Sequence, residues 1–141
     1  MTDFIQKMSI DEIHQMNPLS LAFIGDAVYE TFVRERVILM HPLFSSSRLH
    51  MACVRYVKAS SQSEIMGILE GELTPDEERI YKRGRNTRSN TVPKNARVSD
   101  YRRATGFEAL IGYTYMTGNR ERLEYLLRRS AEIAEKEQSN G

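Results

Sequence analysis

A chain of 141 residues, 40% hydrophobic and 28% charged, suits one folded domain and is too apolar for disorder. Its single cysteine, Cys53, excludes an internal disulfide and a thiolate metal cluster. No apolar run approaches the ~18 residues of a membrane helix. Residues 1–8 hold Asp3 and Lys7 and no apolar segment, so they do not read as a secretory signal, and the expectation is a cytoplasmic protein with no membrane partner. The net charge of +1 conceals a split: residues 79–103 carry nine bases and one acid, net +8, and the remainder carries eleven bases and eighteen acids, net −7. A basic segment on a mildly acidic body points to a polyanionic partner.

The first strong element spans 19–40. Asn17 is placed as its cap with Pro18 in the first turn, and Leu21, Ile24, Val28 and Phe32 follow helical spacing. Phe23, Ala27 and Val33 widen that stripe beyond what one small core needs, which marks a central helix with area to spare for an interface. Ser45, Ser46 and Ser47 cap a second helix to about 58, and Ser61 with Glu64 has the spacing of a capping box opening a third, to about 71. Thr74, Pro75 and Glu77 open another, ending near Gly84. Residues 85–99 have no apolar period and contain Pro93, so they read as an exposed basic loop. Ser99 is then expected to cap a helix to about 117, Gly118-Asn119 to break it, and 120–136 to form the last helix before a frayed tail, 137–141. The fold class is all-α, one domain over 1–141.

Two acids are misplaced for such helices. Asp26 has Ala22, Phe23, Tyr29 and Glu30 at the helical neighbour positions, and Glu108 has Ala104, Thr105, Ile111 and Gly112; neither finds a base on its own helix. An acid on an apolar face is costly unless it is paired, protonated or bound to a metal. Asp26–Arg55 and Glu108–Arg34 are interhelical salt bridges that would satisfy them. Alternatively, the two acids meet in one cleft, as hard oxygen ligands suited to Mg²⁺. Gly25 and Gly112 lie inside helices at a cost of about 1 kcal/mol each against alanine, a sign of close backbone approach. His14, His41 and His50 lack metal-ligand spacing, and His14 reads as a surface residue. Cys53 reads as a core thiol.

The segment Phe23-Ile24-Gly25-Asp26-Ala27-Val28 resembles the signature helix of the ribonuclease III family, and Phe107-Glu108-Ala109-Leu110-Ile111-Gly112 resembles its second acidic helix. Length, Lys82-Arg83-Gly84-Arg85-Asn86 and Pro93-Lys94-Asn95 are similar to the Mini-III branch, which has the nuclease domain without a double-stranded-RNA-binding domain. The likeness covers about 19–118.

This resemblance implies a helical endonuclease domain acting as a homodimer on double-stranded RNA, in maturation of large-subunit (23S) ribosomal RNA precursor. It implies Mg²⁺, with Mn²⁺ as a substitute, held by Asp26 and Glu108, and hydrolysis that leaves 5′-phosphate and 3′-hydroxyl ends. Larger relatives carry further acids where this chain has Leu19, Ala22 and Thr105, which argues against four protein carboxylates around the metal. Arg83, Arg85, Arg88, Lys94 and Arg97 are candidate phosphate ligands, and Asn86, Asn90 and Asn95 candidate contacts to 2′-hydroxyls or base edges. Arg79, Arg102 and Arg103 read as solvated helix surface. The competing readings are a non-catalytic RNA-binding factor of ribosome assembly on the same fold, and a helical protein-interaction module with no role in nucleic-acid binding.

Overall fold

The computed structural model describes residues 8–87 and 97–139, and among them every regular element is helical. A short helix α1 (Ile10–Gln15) opens on a reciprocal cap between Ser9 and Glu12. The long helix α2 (Pro18–Met40) begins as its sequence dictates: the Asn17 side chain accepts from the Leu19 amide at 2.9 Å, and Pro18 sits where no amide is needed. Ser45 caps α3 (Ser46–Val57).

The next helix departs from expectation. α4 (Ala59–Leu69) starts directly after Lys58 with no side-chain cap, and Ser61, expected to open it, is buried inside it. A single 3₁₀ turn, Glu70–Glu72, follows. α5 (Pro75–Asn86) opens on the expected reciprocal box between Thr74 and Glu77. It runs past Gly84 and takes Arg85 and Asn86 from the expected loop into its last turn.

α6 (Val98–Met116) also starts earlier than expected. Arg97 holds the cap position without a side-chain bond, and Ser99 lies within the first turn. Gly118 then takes φ +76°, which a side chain resists, and Asn119 accepts from the Arg122 amide at 3.1 Å to start α7 (Arg120–Ser139). That last helix outruns its expected end at 136.

α6 is the hub. It packs against α2, α4, α5 and α7 and is buried nearly all round from Ala104 to Thr114, which a helix without a polar face requires. One core gathers Tyr29, Val33, Tyr56, Met66, Phe107, Leu110 and Leu126, with the Phe107 ring set edge-on to Tyr29 at 4.8 Å. Cys53 belongs to this core. Each large side chain buried there contributes about 1.5–3 kcal/mol. A smaller core joins Ile13, Leu21, Ile80, Ala109 and Tyr113 at the α1 end. There His14 is half-buried rather than a surface residue: it stacks on Tyr113 and its Nε2 lies 3.0 Å from the tyrosine hydroxyl.

Charged pairs lock α7 in place. Arg122 meets both oxygens of the buried Glu77 at 2.8 Å and also donates to the Glu72 carbonyl. Arg129 engages the Glu72 carboxylate. Arg36 of α2 engages Glu135 at 2.7 and 2.8 Å, with the Tyr56 hydroxyl donating to the same carboxylate. Such bidentate guanidinium–carboxylate contacts orient helices as well as holding them.

Candidate active site

The site is set by a backbone contact. A Cβ on Gly25 of α2 would collide with the Glu108 carbonyl oxygen of α6, and one on Gly112 would collide with the Leu21 carbonyl oxygen. Hydrogen is the only substituent that fits at either position, so the two helix backbones cross in direct contact. Asp26, next to Gly25, therefore stands beside Glu108.

The structure brings the two acids together. Asp26 is exposed and Glu108 half-buried, and their carboxyl groups hydrogen-bond to each other. Burial, first, and then the adjoining Asp26 carboxyl push the Glu108 carboxyl up from its usual 4.5 to about 9; Glu30, one turn along α2, acts in the same direction. The Gln62 side chain of α4 also bonds to Glu108 and opposes the shift by favouring the anion. At neutral pH Glu108 thus keeps a proton that it shares with Asp26.

Neither interhelical salt bridge forms. Arg34 bonds to Glu30 at 3.3 Å, and the Arg55 guanidinium lies over the Tyr56 ring and donates to its hydroxyl at 2.8 Å. Two carboxyls kept apart from cations and sharing a proton form a donor set that a hard divalent cation satisfies, by displacing that proton. Asp26 and Glu108 fit such an ion. Among the described residues no third histidine, cysteine or acid completes a ligand group, and Ala22 and Thr105, where larger relatives carry acids, are buried. Two protein ligands with water and substrate phosphate in the remaining positions is a coordination that Mg²⁺ accepts.

The expected RNA-binding residues divide. Arg83 is half-buried and donates to the carbonyls of His14 and Met16 at 2.8 and 3.3 Å, which ties α5 to the end of α1. Arg85 and Asn86 close α5, with the Arg85 Nε donating to the Asn86 Oδ1 at 3.1 Å. Arg97 is exposed at the start of α6. Arg88, Asn90, Lys94 and Asn95 lie outside the described residues. From Arg97 to Glu108 is eleven residues of helix, about 16 Å along the axis, so the basic end of α6 and the carboxylate pair lie well apart.

Sequence reading missed Gln62. The three consecutive polar residues Ser61, Gln62 and Ser63 are all buried. A polar run on the inward side of an otherwise apolar helix is the signal that would have found it.

A domain of this build is a nuclease domain: the family model for the ribonuclease III domain matches residues 19–119. The Mini-ribonuclease 3 of Clostridium tetani is 42% identical over 135 residues, covering 96% of this chain and 89% of that one. That of Streptococcus pneumoniae is 46% identical over 118 residues, covering 82% and 91%. An X-ray structure of a Fusobacterium nucleatum protein superposes with a TM-score of 0.75 at 27% identity, over 84% of this chain and 93% of that one. The chain belongs to the ribonuclease III family, within its Mini-ribonuclease 3 group.

Proposed function

We propose that the protein is a divalent-metal-dependent endoribonuclease that cuts double-stranded RNA as a homodimer, in maturation of large-subunit ribosomal RNA precursor in the cytoplasm. The observation that carries the chemistry is the carboxyl pair of Asp26 and Glu108, joined across the helix crossing with no cationic partner. Both acids that a non-catalytic relative could dispense with are present and adjacent, which favours the enzyme over the assembly-factor reading.

Asp26 and Glu108 hold Mg²⁺, or Mn²⁺ in its place; the chemistry the ion supplies there is activation of water and neutralisation of charge on the phosphate. Water attacks phosphorus, the bond to the 3′ oxygen breaks, and the ends are a 5′-phosphate and a 3′-hydroxyl. Asp26, exposed, faces the incoming backbone, while the half-buried Glu108 gives up its proton as the site loads. Arg85, Arg88, Lys94 and Arg97 contact phosphates, and Asn86 and Asn95 reach 2′-hydroxyls or base edges. Arg83 acts through position, by anchoring α5.

The dimer has its support in α2. Phe23 is 82% exposed beside the site, with Ala27 exposed one turn on, an apolar face that a second copy would cover. No helix among the described residues is long and apolar enough to cross a membrane.

The test is cleavage of duplex RNA with Mg²⁺. Asp26→Asn and Glu108→Gln are each expected to lower the rate on the order of 10³-fold. Cleavage that survives both changes sinks the assignment.

A further inference from the structure

Gln62 lies on α4, a helix that carries neither catalytic acid, and is 2% exposed. Its Nε2 donates to the Val57 carbonyl, the free end of α3, at 3.2 Å, and its side chain also bonds to the Glu108 carboxylate. One amide nitrogen has two hydrogens. Here one serves the corner between α3 and α4 and the other serves the acid, so the corner and the site share one donor.

A carboxylate at the end of a glutamate side chain rotates freely unless something grips it. Asp26 does not provide that grip once an ion takes the place of the shared proton. We propose that Gln62 is a positioning residue of the nuclease site: its buried amide holds the Glu108 carboxylate in the orientation in which it binds a divalent cation. Donors of this kind behind a metal ligand typically govern affinity by 10–100-fold. The proposal rests on the assignment of Asp26 and Glu108 as metal ligands.

The experiment separates the two. Binding of Mn²⁺ alone is measured by electron paramagnetic resonance on the metal-free full chain, without RNA, for the parent, Glu108→Gln and Gln62→Met. Methionine matches the length of glutamine and lacks the donor. Gln62→Met is expected to bind Mn²⁺ about tenfold more weakly than the parent with an unchanged circular dichroism spectrum. Parent-like Mn²⁺ affinity in Gln62→Met, with or without a lower melting temperature, makes Gln62 a structural cap only and overturns the proposal. Parent-like affinity in Glu108→Gln overturns the metal-site assignment instead, and the role of Gln62 with it. Should Gln62→Met not fold, the side-chain amide signals of Gln62 in the ¹⁵N-labelled parent decide. They are expected to shift with Mg²⁺ and to move in Glu108→Gln, and signals that stay fixed in both overturn the proposal.

Discussion

Glu108 holds a proton that an ordinary glutamate has lost, and its burial against Asp26 is why. The linkage has a definite sign. The folded chain binds this proton up to about pH 9, whereas the unfolded chain releases it near 4.5, so without metal stability falls as pH rises through that window. Glu108→Gln removes the slope. Its metal-free stability at pH 8 is expected to exceed the parent's by about 1–3 kcal/mol, measured by urea unfolding across pH, even as cleavage is lost. A parent profile that is flat between pH 5 and 9 would contradict the shared proton. At this scale Asp26 and Glu108 were legible because an acid without a neighbour at three or four residues is costly on an apolar helix. Arg83 and Gln62 were not. The partners of Arg83, His14 and Met16, and the partner of Gln62, Glu108, come from other helices, and no local spacing encodes them.

Among the helices, boundaries followed chemistry where caps are reciprocal. Thr74 with Glu77 marked the start of α5 because the two side chains satisfy each other's amides. Ser61 with Glu64 has the same spacing but lies inside α4, because the buried face of that helix extends back to it and packing overrides a local cap. Ser9 with Glu12 caps α1 by the same rule, in a helix of six residues too short to show a period. The α2–α6 crossing was foreshadowed by its two glycines, although which helices met there was not. Gly112→Ala is expected to cost about 1–3 kcal/mol or more by thermal unfolding, since the added methyl meets the Leu21 backbone rather than a movable side chain. A displacement of about 1 Å at the carboxylates would also lower cleavage on the order of 10²-fold. Parent-like stability and cleavage in Gly112→Ala would show that the crossing is looser than described.

For the molecule as a whole, the charge split and the exposed face of α2 set how it meets itself and RNA. Phe23 at 82% exposure is a large apolar group that a lone domain has no use for. Phe23→Glu is expected to yield a monomer by light scattering, with the helical spectrum kept and duplex cleavage reduced. A dimer that persists in Phe23→Glu would place the interface elsewhere. The all-helical class and single domain were legible from period and length. The folding of α6 into a fully buried hub was not, since an element polar on no side announces burial without saying among which neighbours.

The helix crossing at Gly25 and Gly112 has a consequence for tolerance to change. The gap between the two reactive acids is gauged by main chain against main chain, a thickness common to every polypeptide, rather than by how particular side chains interlock. Remodelling the interior elsewhere, with larger or smaller apolar groups, leaves that gauge untouched, while a single methyl at either glycine reopens it. The chain can therefore drift widely in composition and keep its chemistry, provided two hydrogens stay where they are.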